Sequence, residues 1–170
     1  MDRECRTFTF ELRAADESKD NKKIVRGYAT TFDAPYTLYA DKDYQIREVM
    51  KRTAFDNVDF SDVIMQYDHQ GRVFARTRNG TLKIKVNSRG LFIEADLSKT
   101  KNGRELYEEI KGGFTNKMSI GFKADKSMDV WKRTEENGQI IETRIINRIT
   151  ELFDVSAVSI PANENTIITA

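Results

Sequence analysis

The sequence predicts a mainly β fold with helices, an α+β domain whose antiparallel strands form a barrel or sandwich with helical insertions. Three observations carry this. Apolar and polar residues alternate in many short runs, as in Leu82 to Val86 and Met118 to Phe122. Turn residues join neighbouring runs, Asn87-Ser88-Arg89-Gly90 in one place and Asn137-Gly138 in another. One segment, Gly103 to Lys111, carries a convincing helical stripe, through Leu106, Tyr107 and Ile110.

The elements follow in order. Arg6 to Leu12 alternates Phe8, Phe10 and Leu12 as a first strand, and Asp16 to Lys23 is a polar turn or loop. Lys23 to Phe32 is a second strand, ended by Asp33-Ala34-Pro35-Tyr36, because proline has no N–H for a ladder. Thr37 to Tyr44 is a polar loop, Ile46 to Met50 a short strand, and Thr53 to Val58 one helical turn. Val63 to Tyr67 is the next strand, and its alternation sets Val63, Met65, Tyr67 and His69 on one face before Gly71 breaks the run. Val73 to Arg76 is short. Leu82 to Val86 and Leu91 to Ala95 form the clearest hairpin. Thr100 or Asn102 caps the helix, and Gly112-Gly113 stops it. Met128 to Arg133 and Ile140 to Ile149 are two arms around Asn137-Gly138, and Glu151 to Ile160 is the last strand, ended by Pro161.

Composition narrows the function classes. A chain of 170 residues with 39% hydrophobic and 32% charged residues is one globular domain, 1–170. Lys and Arg number 28 against 27 acidic residues, a net charge of +1, so there is no electrostatic case for nucleic acid or an anionic membrane as partner. No apolar run approaches the roughly 20 residues that span a bilayer, and the charged N-terminus has no signal-peptide core. The single Cys5 excludes an internal disulfide and fits a reducing compartment. One Cys and one His exclude the usual zinc ligand sets, while an all-carboxylate Mg²⁺ or Ca²⁺ site stays open although no calcium-loop motif is visible. The basic residues Arg72, Arg76 and Arg78 read as a solvated face.

The chemistry has few parts to draw on. In Met118-Ser119-Ile120-Gly121-Phe122, Ser119 shares a face with Gly121 and Lys123, and the glycine leaves open space beside the hydroxyl for a substrate backbone. Local pattern alone describes a half-buried strand with a small polar face. A serine hydroxyl needs a base to act as a nucleophile, and histidine is the side chain whose ordinary titration range suits that task. The chain has one, His69. A base in turn needs a carboxylate to fix its tautomer. Glu151 and Asp154, on opposite faces of a regular last strand, are the candidates. Asp154 is preferred because it sits mid-strand between apolar neighbours, where an unpaired charge is costly. Asp68 adjoins His69 but points to the opposite face of a strand that continues that far. A plain salt bridge to Arg144 or Arg148 also accounts for Asp154. Cys5 lies near a terminus without a nucleophile's local signature.

At this point the residues resemble the prohead (procapsid maturation) protease family of tailed phages, of the HK97 type. Gly27-Tyr28-Ala29-Thr30-Thr31-Phe32 with Pro35-Tyr36 is similar to that family's opening strand, and Val63 to His69 to its histidine segment. Asn87 to Asp96 resembles its central hairpin, Met118 to Phe122 its nucleophile motif, and Leu152 to Ser159 with Pro161-Ala162-Asn163 its closing strand. The resemblance covers roughly residues 24 to 165.

It implies a serine endopeptidase related to herpesvirus assemblins, with a β-barrel surrounded by helices. Ser119 is then nucleophile, His69 base and Asp154 orienter, the carboxylate standing where assemblins carry a second histidine. The assemblins' glycine-arginine loop is missing, so oxyanion donors are expected after Ile160 or around Ser119. The resemblance further implies work inside the assembling procapsid in the host cytoplasm. The substrates are the major capsid protein or a scaffold segment, and the enzyme itself by self-cleavage. No cofactor is implied. Ala170 follows soon after the last motif, which leaves room for a further C-terminal segment. The alternative is a non-catalytic capsid assembly or scaffolding protein of the same fold, a homo-oligomer joined through its sheet edges.

Overall fold

The computed structural model describes residues 3–8, 13–14 and 22–159. Thirteen strands occur among them: β1 (Glu4–Phe8), β2 (Arg13–Ala14), β3 (Ile24–Thr31), β4 (Pro35–Ala40), β5 (Tyr44–Met50), β6 (Ile64–Tyr67), β7 (Gln70–Arg76), β8 (Leu82–Val86), β9 (Gly90–Asp96), β10 (Lys117–Ala124), β11 (Val130–Glu136), β12 (Gln139–Ile146) and β13 (Ile149–Val158). One α-helix, α1, runs from Lys101 to Lys111, and short 3₁₀ turns occupy Arg52–Phe55, Thr77–Asn79, Leu97–Lys99 and Lys126–Met128. The fold is mainly β with few helices. Residues 9–12 of the expected first strand, most of the expected loop after Asp16, and the stretch from Ile160 onward lie outside the described residues.

The strands pair into three sheets, ordered β1-β10-β13-β6-β7, β11-β12-β5-β4 and β2-β3-β9-β8. The ladders of the described residues leave these sheets open rather than closing them into one barrel. The pairing is also mixed. β12 runs parallel to β5, and β13 runs parallel to β6, where antiparallel hairpins alone were expected. Parallel neighbours are never joined by a tight turn, so no local signal announces them.

The clearest hairpins appear as read. β8 and β9 pair from Leu82↔Ala95 to Val86↔Leu91. β11 and β12 flank Asn137-Gly138, both with positive φ (53° and 79°), which is what a two-residue hairpin loop of the primed type requires. The Thr100 hydroxyl accepts the Gly103 N–H at 2.9 Å as N-cap of α1, which buries Leu106, Tyr107 and Ile110. The polar loop expected over Thr37 to Tyr44 is instead β4 and the start of β5. β4 is an edge strand opening on Pro35, a position that needs no ladder N–H, and an edge carries polar residues without cost.

The core lies between the five-stranded sheet and the β3–β9 sheet. Met118, Ile120, Phe122, Val155 and Ala157 of the first meet Val25, Ala29, Leu91 and Ile93 of the second, with α1 closing one side. Every second residue of β10 is therefore committed to packing. The intervening residues, Ser119 and Gly121, face away from this core.

A charged cluster ties β1 to the β5–β12 pair. Arg144 donates to Glu48 (2.9 Å), to Asp129 (2.6 Å) and to Glu4, while Arg6 and Tyr36 donate to Glu48 at 2.5 and 2.8 Å. Arg144 and Glu48 are both buried. Removing Arg144 takes the cation from Asp129 and leaves Glu4 and Glu48 to share Arg6, which is strongly destabilising for buried carboxylates. Arg144→Ala is expected to lower unfolding free energy by about 3–5 kcal/mol, measured by urea denaturation. A loss under about 1 kcal/mol, the range of exposed pairs, would show the cluster to be dispensable.

Candidate active site

Ser119 lies on β10, the second strand of the five-stranded sheet, between β1 and β13. It faces Thr7 on one side and Ser156 on the other. Cross-strand partners share a face, so Ser119, Gly121, Ser156 and Asp154 stand together on the side away from the core. Asp154 stands there by regular alternation with Ser156, and the ladder becomes irregular at the next residue. Gly121 pairs Asp154, but Phe122 pairs Leu152, so Phe153 is an extra residue in β13. This bulge returns Leu152 to the core opposite Phe122, although Asp154 two residues later faces away from it. It also sets Glu151, opposite Lys123, on the face of Asp154, which corrects the expectation that a regular strand separates the two carboxylates. Glu151 is exposed, whereas Asp154 has no accessible surface.

His69 is not on a strand. Asp68 and His69 are the two loop residues of the hairpin between β6 and β7, with φ of 46° and 59°. Alternation of side chains ends at Tyr67, and the turn delivers the imidazole instead. Asp and His tolerate positive φ better than most residues. Asp68 also clamps the turn onto the end of β13. Its carboxylate accepts the Ser159 N–H at 3.0 Å and the Ser159 hydroxyl at 2.9 Å, and its own N–H donates to Ala157 at 2.9 Å. No sequence pattern near Asp68 pointed to this role.

The three predicted residues meet. His69 Nδ1 lies 2.7 Å from Asp154 Oδ1, and His69 Nε2 is hydrogen-bonded to Ser119 Oγ. Asp154 is anchored further by the Ser156 hydroxyl, which donates to Oδ1 at 2.5 Å, and by Arg3, which pairs with Oδ2. Burial raises the Asp154 carboxyl, but the hydrogen bonds from His69 and Ser156 and the nearby Arg3 guanidinium outweigh it, leaving it below its ordinary range. Asp154 is thus an ionised, acceptor-only group. It holds the Nδ1–H tautomer and turns the Nε2 lone pair toward Ser119.

Arg144 and Arg148, the alternative partners for Asp154, pair elsewhere, Arg144 with the buried cluster and Arg148 with Asp125. Cys5 lies on β1 opposite Gly121 with its residue exposed, and the partial desolvation of its thiol together with the Asp154 charge pushes it up, away from an activated thiolate. The oxyanion donors expected after Ile160 fall outside the described residues, and around Ser119 the strand is paired along both edges. Among the described residues no cluster of His, Cys, Asp and Glu could hold a metal ion, and no helix is long and apolar enough to cross a membrane.

Gly121 does not leave open space for a substrate, as its sequence position suggested. A Cβ built there would lie 2.1 Å from Asp154 Oδ2 and 2.8 Å from Arg3 Nε, so the carboxylate and the guanidinium fill the room that the missing side chain leaves. Gly121→Ala is expected to push Asp154 off His69. A misplacement near 1 Å costs on the order of 10²-fold in turnover. Steady-state kinetics on a peptide substrate checks this, and unchanged turnover in a folded variant would show that the carboxylate has freedom to move.

The site sets a hydroxyl, an imidazole and a carboxylate in sequence, the arrangement that serine proteases use. Residues 8–170 match the family model of the caudovirus prohead serine protease, and the chain belongs to that family. The same fold occurs in the bacteriophage T4 capsid assembly protease gp21, with a TM-score of 0.51 at 10% sequence identity over 92% of this chain and 96% of that one. No curated protein matches the chain.

Proposed function

We propose that this protein is the endopeptidase that cuts the major capsid protein or its scaffold segment, and itself, inside the assembling procapsid in the host cytoplasm. The observation that carries this reading is the unbroken hydrogen-bonded chain Asp154–His69–Ser119. Ser119 Oγ attacks the scissile carbonyl carbon while His69 Nε2 takes its proton. Asp154 stabilises the imidazolium that forms. His69 then protonates the departing amine, and water, deprotonated by the same imidazole, releases the acyl group from Ser119. The reading also takes the three sheets as the counterpart of the barrel in the herpesvirus enzymes, and family membership supports a role in capsid maturation.

Hydrolysis of a structural protein inside a closed shell makes assembly irreversible, which is the use such an enzyme has. The test is co-expression with the major capsid protein of the same phage. A shortened capsid or scaffold protein with one new N-terminus, found by mass spectrometry, is the expected outcome. Intact capsid and scaffold proteins beside a folded protease would overturn the substrate assignment while leaving the hydrolytic chemistry open to peptide assay.

A further inference from the structure

β11 is an edge strand whose seven residues are all exposed, an unusual length of free ladder. It also carries exposed apolar surface in Val130 and in Trp131, which is 57% exposed. Its charges run Lys132-Arg133-Thr134-Glu135-Glu136, basic then acidic about a central threonine. Lys132 and Glu135 form no ion pair among the described residues. Arg133 and Glu136 have only long contacts, to Glu142 at 3.9 Å and to Arg47 at 3.4 Å.

Charges on an edge strand commonly keep copies apart, and like charges serve that purpose because they face one another. This order does the opposite. If a second β11 lies antiparallel beside the first with Thr134 on the two-fold axis, Lys132 stands opposite the partner's Glu136 and Arg133 opposite the partner's Glu135. The symmetry repeats both pairs, so four opposite-charge pairs form on directly facing positions. In that register Trp131 lies beside the partner's Asn137, over the hairpin turn. The other free edge of the same sheet, β4, reads Pro35-Tyr36-Thr37-Leu38-Tyr39-Ala40 and offers no charges to match β11.

We infer that β11 is the interface of a two-fold dimer of this chain, joining two four-stranded sheets into one continuous eight-stranded sheet through the self-complementary segment Lys132 to Glu136. The interface stands apart from the Ser119 site and does not depend on the protease reading.

The test uses full-length chain in sedimentation equilibrium, together with the emission of Trp131, the one tryptophan of the sequence. Wild type is expected to pass from monomer to dimer with rising concentration and to shift its emission to the blue. Lys132→Glu/Arg133→Glu makes every facing pair acidic, and Glu135→Lys/Glu136→Lys makes every pair basic. Each variant alone is expected to associate on the order of 10²-fold more weakly, and an equimolar mixture of the two is expected to restore the dimer as a heterodimer. Circular dichroism establishes that each variant is folded. A wild type that stays monomeric overturns the proposal and marks the charges as edge protection. Variants that self-associate like wild type place the interface elsewhere, on β4 or another surface, and a mixture that does not recover overturns the register.

Discussion

Ser119→Ala is expected to leave a folded protein that hydrolyses no peptide bond above background. The side chain is buried and its one hydrogen bond among the described residues is to His69, so truncating it removes little packing and leaves the β1-β10-β13 ladder intact. Residues of such a triad act as a unit. Losing the nucleophile is expected to cost on the order of 10⁴-fold or more in turnover, with only transition-state binding left. The comparison is with wild type on one peptide substrate, with urea denaturation to establish equal stability. Wild-type turnover by a folded Ser119→Ala protein would remove Ser119 from the chemistry.

The second large effect separates the two carboxylates of β13. Asp154→Asn keeps shape and hydrogen-bonding reach, but an amide can donate to His69 Nδ1 and so hold the wrong tautomer. A loss on the order of 10⁴ in turnover is expected, as in other triads. Glu151→Gln is expected to cost less than about tenfold, because Glu151 is exposed and lies opposite Lys123, beyond the position that Gly121 and Asp154 occupy. Both residues share a face because of the Phe153 bulge, so facing direction does not distinguish them. What does is that Asp154 holds His69, Ser156 and Arg3 at once. An inactive Glu151→Gln enzyme beside an active Asp154→Asn one would reassign the orienting group.

What was legible in the sequence is what depends on neighbours along the chain. The alternation of Met118, Ile120 and Phe122 located β10, the Asn137-Gly138 pair located a hairpin, and Leu106, Tyr107 and Ile110 located α1. The candidate residues Ser119, His69 and Asp154 were legible because the chain has one histidine and because a carboxylate amid apolar residues needs a partner. The routes by which they meet were not legible. Alternation carried past Tyr67 put His69 on a strand, when two positive φ angles turn it back. A bulge has no reliable signature of its own, so Phe153 was counted as an ordinary strand residue. Arg3 and Asp68 act through contacts with residues 151 and 91 positions away, and no local pattern encodes such distances.

The parallel pairing of β6 with β13 has a consequence for timing. His69 stands 50 positions from Ser119 and 85 from Asp154, and that pairing is what brings the turn of His69 against the strand of Asp154. Hairpins close in microseconds, but a parallel pair must first fold up the long loop between its strands, and such pairings are slow. A newly made copy thus acquires its local strands and helix while still lacking any power to cut. The site therefore waits on the slowest, non-local step of folding and not on the formation of the strand that carries Ser119.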